Sequence, residues 1–341
     1  MGLFKANHRG KGEHMHSIKG YFIAGLLFCS ILVLSIGVGR IECQPKYPTR
    51  AIDVIVPFSP GGSTDLTVRV VTNALRKKWN VPINVVNKPG GNTVPASVEV
   101  YSAKPDGYTV LGDGTPSCSM LPAVVRKLPF EVMDRTFLGT MGICPFVFSV
   151  APSSPIKSLK DAMDEAIKNP EEFTWASLGG AALHDFAFRQ LLKKWGVDVL
   201  RTKPVMSQGG ANAIVITAGG NVKVGGGSVP ASTPAIKGKL VRGLAITGSQ
   251  RWPDFPDLPT TAEAGYPTVT ATEYKSFSAP PKTPSYVVEV WEKALKELAK
   301  DPEVLGQLKN VGMTPLYMDS VETRKYTERE MAEVMELWGI K

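Results

Sequence analysis

Along the chain, short apolar runs that end in glycine or proline alternate with longer stretches whose apolar residues recur at helical spacing. Ile52 to Phe58 is β-rich, Pro60-Gly61-Gly62 breaks it, and Leu66, Val70, Val71, Ala74 and Leu75 then predict a helix reaching Trp79. Arg76, Lys77 and Lys78 fall in its last turn, where cations complement the carbonyl end of the dipole. Ile83 to Val86 predicts a second strand, Pro89-Gly90-Gly91 and Pro105-Asp106-Gly107 predict turns, and Tyr108 to Leu111 predicts a third strand. Strand, helix, strand, helix, strand in that order predicts a mainly parallel sheet with helices on both faces.

The pattern restarts after about residue 145 with the strand Phe146 to Val150. Ser158, with Asp161 three residues on, predicts a capping box that opens a helix through Lys168. Thr174 to Ala176, the loop Gly179-Gly180, a helix from Leu183 to Trp195, the loop Gln208-Gly209-Gly210, a helix from Ala211, and strands near Val222 and Leu244 complete a second α/β half. Thr283-Pro284 opens a helix with Val287, Trp291, Ala294, Leu295 and Leu298 on one face and Glu289/Lys293 and Glu292/Lys296 pairs on the other. A last helix is predicted from Val321 to Leu337.

With 341 residues, 43% hydrophobic and 21% charged, the chain is neither disordered nor fibrous and is long enough for two domains. The net charge of +8 is partly terminal, since the first 43 residues hold five Lys/Arg against two Asp/Glu. The remaining cations are scattered among acids rather than arranged as a nucleic-acid groove. Lys5, Arg9, Lys11 and Lys19 precede the apolar stretch Tyr21 to Gly39, which reads as an export signal with small residues at Gly37 and Gly39 before Arg40. An uncleaved anchor helix is the alternative. Neither Cys29 nor Cys43 follows the small residue that lipidation favours. Either way the folded part starts near Pro45, outside the cytoplasm, and no later segment is apolar enough to cross a membrane.

Catalytic signatures are absent: there is no G-x-S-x-G, no phosphate-loop G-x-x-x-x-G-K-[ST], no H-E-x-x-H, and no G-x-G-x-x-G after a strand. One histidine, His184, lies beyond the export segment, and the cysteines lack C-x-x-C spacing, so neither a histidine-rich metal site nor a zinc clamp can be built, and no cofactor motif is present. A Ser or Cys nucleophile would have His184 as its one possible histidine partner, and Cys118 with His184 is conceivable, set against a buried structural thiol. What stands out is glycine and hydroxyl residues where strands lead into helices: Pro60-Gly61-Gly62-Ser63-Thr64-Asp65 in one half, Ser177-Leu178-Gly179-Gly180 before His184 in the other. First-turn amides there are unpaired and carry partial positive charge, and glycine lets an anion approach the backbone. A plain turn capped by Thr64 or Asp65 is the alternative for either loop alone. Two such loops in two halves point to an anion held between them.

These residues resemble the solute receptors of tripartite tricarboxylate transporters. The resemblance rests on Val56-Pro57-Phe58-Ser59-Pro60-Gly61-Gly62-Ser63-Thr64-Asp65, Pro105-Asp106-Gly107-Tyr108-Thr109-Val110-Leu111 and Thr261-Ala262-Glu263-Ala264-Gly265, with similar text from about Tyr47 to Trp338. It implies a periplasmic receptor of two α/β lobes in a type II-like Venus-flytrap fold with crossover strands: residues 44–146 plus 270–341, and residues 147–269. It also implies a small organic mono- or dicarboxylate as ligand, delivery to integral-membrane transporter subunits, no catalysis, and a monomer. The implied ligand-binding residues are Phe58, Ser59, Gly61, Gly62, Ser63, Thr64 and Asp65 from the first loop, and Ser177, Gly179, Gly180 and His184 from the second. Thr115, Ser117, Gly209, Gly210, Gly227 and Ser228 are implied as further lining residues. A histidine satisfied by the protein is an equal reading of His184.

Where many relatives carry an acid able to pair with a ligand amino group, this chain has Gly225-Gly226-Gly227-Ser228. That departure predicts a non-amino carboxylate, since an unpaired ammonium is costly to bury, and predicts room for a bulky or aromatic one. An exported α/β enzyme, revealed by turnover lost on His184→Ala or Cys118→Ala, and a sensor docking on a receptor kinase are the readings from other classes.

Overall fold

The computed structural model describes residues 2, 45–207, 209–248 and 250–340; the predicted export segment and Gln208 lie outside the described residues. The first half runs β1 (Ile52–Val56), α1 (Ser63–Trp79), β2 (Ile83–Asn87), α2 (Val94–Tyr101), β3 (Thr109–Gly114) and the short α3 (Leu121–Val124). It leads into β4 (Thr136–Val150). The second half runs α4 (Leu159–Lys168), β5 (Thr174–Ser177), α5 (Leu183–Lys194), β6 (Lys203–Met206), α6 (Gly210–Ala218), β7 (Gly225–Ser228), α7 (Val229–Lys237) and β8 (Arg242–Ile246). The chain returns through β9 (Thr272–Ala279) to α8 (Ser285–Leu298), α9 (Pro302–Asn310), β10 (Thr314–Met318) and α10 (Ser320–Trp338).

Local signals hold. Ser158 and Asp161 bond reciprocally, each at 3.1 Å, as the capping box requires. The predicted stripe of α8 is buried at all five positions. The stripe of α1 is rotated: Thr64, Thr67, Val68, Val71, Thr72 and Leu75 are buried, while Leu66, Val70 and Ala74 are half-buried. Threonine methyls supply much of that face. α1 stops at Asn80, whose left-handed backbone (φ 52°) returns its amide to the Arg76 carbonyl.

The sheet is mixed rather than mainly parallel. β1 pairs in parallel with β2 and β3, and β5 with β6. β3 and β4 both pair antiparallel with β9, and β4 pairs antiparallel with β10, β7 and β8. The reason lies in β4, a 15-residue strand much longer than its predicted final segment. Through Pro145 it pairs with β9, and from Phe146 it pairs with β7 and β8. β4 carries the chain out of one lobe and β9 carries it back, so the two crossing strands run in opposite directions.

The strand expected near Val222 lies at Gly225–Ser228. A Cβ at Gly225 would come within 1.8 Å of Thr217 Oγ1, and one at Gly226 (φ 146°) within 2.1 Å of the Val147 carbonyl oxygen. Those glycines let β7 fit between β4 and α6, and protein fills the room expected there for a bulky or aromatic ligand. One core gathers Val54, Val68, Leu75, Leu138, Trp291 and Leu295, the other Phe146, Phe148, Trp175, Phe188 and Leu191. α10 touches both halves: Thr323 and Thr327 bond Thr140 and Tyr274 on the crossing strands, and Val334 and Leu337 enter the second core.

Candidate functional site

Because β2, β1 and β3 are parallel, their carboxyl ends lie on one edge and release three adjacent loops: residues 57–62 into α1, 88–93 into α2, and 115–117 after β3. Ligands of open α/β sheets bind outside such an edge. Asn92 and Thr93 hold left-handed backbones (φ 49° and 68°), an uncommon conformation and a strained one for β-branched threonine. A Cβ at Gly179 would lie 3.9 Å from Asn92 Oδ1, and one at Gly180 would lie 2.7 Å from Val124 Cγ1. The edge of the first lobe therefore faces the β5–α5 loop of the second.

In the second lobe three helix starts converge. A Cβ at Gly210, in the first turn of α6, would lie 3.7 Å from His184 in the first turn of α5 and 3.9 Å from Ala231 in the first turn of α7. No side chain caps α1, α2, α3, α5, α6, α7 or α8, in contrast to α4, α9 and α10, which Ser158, Asp301 and Asp319 cap. The first intrahelical bonds run from Leu66 to Gly62, from Phe186 to Ala182 and from Ala213 to Gly209. Amides ahead of them, such as those of Ser63, Thr64, Leu183 and His184, have no carbonyl one turn back to bond. The starts of α5, α6 and α7 thus bring three positive helix ends together in the second lobe, and α1 starts at the edge of the first.

In the loops behind these helix starts, the amides of Gly61, Leu178, Gly179 and Gly180 bond within the loop. Asp65 accepts from the Gly61 amide (2.9 Å), Asn87 Nδ2 (2.8 Å) and Arg69 Nε (3.0 Å). Burial pushes its carboxyl up, but the bonds from Arg69, Gly61 and Asn87 win and hold it below the usual range. Asp185 does the same in the other lobe, accepting from the Ser177 hydroxyl (2.6 Å) and the Leu178 amide (3.1 Å), with Gly180 also donating. There burial prevails and the carboxyl titrates above its ordinary value. Gly179 donates to Ser177 Oγ at 3.2 Å. Asp65, Asp185 and Ser177 are therefore positioning residues that shape the loops.

The other expected residues divide. Thr64 is buried, and its hydroxyl accepts from Lys275 Nζ at 2.8 Å. Ser59, Gly61 and Gly62 are exposed, Ser63 is half-buried, and Phe58 packs on the first core with its carbonyl accepting from Asn87. A Cβ at Gly209 would meet nothing within 4 Å, whereas one at Gly227 would touch Ser232, Ala231 and Ile214. Ser228 is the N-cap residue of α7. Thr115 and Ser117 are engaged elsewhere. Thr115 Oγ1 takes the Tyr274 amide and donates to Glu330, and Ser117 donates to Asp113 at 2.8 Å while its carbonyl accepts from Arg135.

His184 Nε2 meets the Gly226 carbonyl at 3.1 Å; a carbonyl only accepts, so Nε2 carries the proton. Burial lowers its pKa to about 4, against the opposing pull of that bond, so the ring is neutral and braces β7. Cys118 lies elsewhere, between Asp113 and Arg135, with its thiol pushed far up by burial. Among the described residues, no group of three His, Cys, Asp or Glu side chains is arranged to hold a metal ion.

Sequence reading missed the buried pair Glu273 and Lys275 on β9 and the buried Glu330 on α10. The spacing of Glu273 and Lys275 sets both charges on one face only once the run is known to be a strand.

The family profile described as tripartite tricarboxylate transporter family receptor matches residues 67–338. The chain belongs to that family. Among its relatives, the receptor resembles protein BugT of Bordetella pertussis, 27% identical over 90% of this chain and 94% of that one. Of solved structures, one described as a periplasmic transporter is 28% identical, with a TM-score of 0.78 over 86% of this chain and 97% of that one. An R. palustris protein solved with adipate is 25% identical, with a TM-score of 0.79 over 86% and 99%. MatC of Rhodopseudomonas palustris with bound malate, 23% identical, shares the fold, with a TM-score of 0.76 over 86% and 100%. The receptor is a two-lobed binding protein of this family, with a curled mixed sheet.

Proposed function

We propose that the protein is an exported receptor that captures a small non-amino carboxylate between its lobes and delivers it to the membrane subunits of a tripartite transporter. The lobes, residues 44–146 plus 270–341 and residues 147–269, close about β4 and β9, whose pairing changes where the lobes meet. The observation that carries this reading is the convergence of the uncapped starts of α5, α6 and α7 in the second lobe, with the uncapped start of α1 at the edge of the first lobe that meets the β5–α5 loop. Each carries the partial positive charge that a carboxylate needs. The adipate and malate bound to two relatives are small carboxylates without an amino group.

Among four buried acids of the described residues an ammonium would find no free partner. Asp65, Asp185 and Glu273 already have theirs, and burial raises the carboxyl of Glu330 to about 8, which keeps it largely protonated at neutral pH. A titration-calorimetry and thermal-shift series with succinate, malate, adipate and aspartate tests the reading. At about 100 times its dissociation constant a bound ligand stabilises the fold by ~2.7 kcal/mol. Succinate is expected to bind more tightly than aspartate, which differs by the added amino group. Absence of a shift with all four, or tighter binding of aspartate, overturns the reading.

A further inference from the structure

Lys275 and Glu273 stand two residues apart on β9, the returning crossover strand, and form a buried ion pair. Lys275 is 1% exposed, and its ammonium donates to Thr64 Oγ1 in the first turn of α1 at 2.8 Å. On the other side lies Cys144 of β4. Burial lifts its thiol to about 12, while Lys275, the Val229 amide and the Ser228 hydroxyl pull it down and Glu273 pushes it further up. Lys275 and Glu273 therefore sit where the start of α1, from one lobe, and the start of α7, from the other, approach the crossing strands.

Two helix starts contribute about one positive charge together, and Lys275 adds another. Glu273 cancels one. The remainder draws in an anion, and the Lys275 ammonium is the full charge within its reach. Thr64 fits the same account, because a hydroxyl that accepts from Lys275 keeps its own proton for a further acceptor.

Resting on the reading of the cleft as a carboxylate site, we infer that Lys275 sets the charge of the ligand: its ammonium, aligned by Glu273, receives one carboxylate of a dicarboxylate beside the Thr64 hydroxyl. The second carboxylate is left to the uncapped starts of α5 and α6 in the other lobe. Lys275 is then the specificity-determining residue that separates dicarboxylates from monocarboxylates of the same length.

The experiment measures dissociation constants by titration calorimetry for adipate against hexanoate and malate against 3-hydroxybutyrate. The proteins are the wild type, Lys275→Arg and the double variant Lys275→Met/Glu273→Gln. The double change removes the pair together, so no unpaired charge is buried and the fold is kept, which a thermal melt checks. The wild type is expected to prefer each dicarboxylate. The double variant is expected to lose about 10- to 100-fold of dicarboxylate affinity, the range of a hydrogen bond to a charged group, and with it the preference for each dicarboxylate over its monocarboxylate. Lys275→Arg should retain most of the preference. An unchanged ratio in the double variant, or a wild type that binds monocarboxylates as well as dicarboxylates, overturns the role of Lys275 and leaves the carboxylate receptor standing. A wild type that binds none of the four overturns both.

Discussion

Two aspartates at equivalent places, third in the first turns of α1 and α5, fold their loops back onto the helix starts. Their residue type was legible in the sequence, but their task was not, because a carboxylate facing its own loop and one facing a ligand read alike. Glu330 is a different case. It accepts from Thr115 and Ser119, faces no paired cation, and feels the nearby charges of Glu273 and Glu333. Burial raises its folded value to about 8, against an ordinary value near 4.3. The folded state thus holds this proton more tightly than the unfolded chain. Its contribution to stability is full below about pH 4.3 and is lost as pH rises through about 8. Glu330→Gln is expected to melt with the wild type at pH 4 and a few degrees above it at pH 9, by circular dichroism. Equal melting differences at both pH values would mean that the residue acts through packing alone. His184, neutral in the fold, should show imidazole resonances that do not titrate between about pH 5.5 and 8, and a midpoint near the ordinary 6.5 would contradict its burial against Gly226.

Among the elements, α1 offers a test of the anion site. Gly62 has extended backbone (φ −76°, ψ 166°), and an added Cβ would meet nothing closer than the Ser59 carbonyl oxygen at 3.6 Å. Gly62→Asp therefore places a carboxylate at the N-cap, where it competes for the first-turn amides. The variant is expected to gain up to about 1 kcal/mol in stability and to bind carboxylates at least about tenfold more weakly. Tighter or unchanged binding would remove α1 from the site. α8 and the capping box of α4 were readable because their signals lie within one turn of the helix they describe. The runs that became β7, β9 and β10 gave no such signal, since pairing with β4 decides them across long separations. Glycines at 225 and 226 look like a loop until Thr217 and Val147 are seen to fill the space a side chain would need. Lys275 was hidden with β9, for a charged residue is read as exposed unless its strand is known to be covered.

At the scale of the whole molecule, β4 and β9 bind the lobes through shared pairing, and α10 spans both, from Thr323 on the crossing strands to Leu337 in the second core. Alternation of strands and helices was enough to expect two α/β halves, while the reversal of direction along the crossing strands depends on which lobe each strand joins. The proposed function requires that helix-start amides from both lobes capture a carboxylate. Hydrogen exchange followed by mass spectrometry, with and without saturating adipate or succinate, tests it most directly. Slower exchange is expected together in the first turns of α1, α5, α6 and α7 and along Glu273 to Ser276. Binding that leaves those four turns unprotected, or protects the turns of one lobe alone, would contradict capture between the lobes.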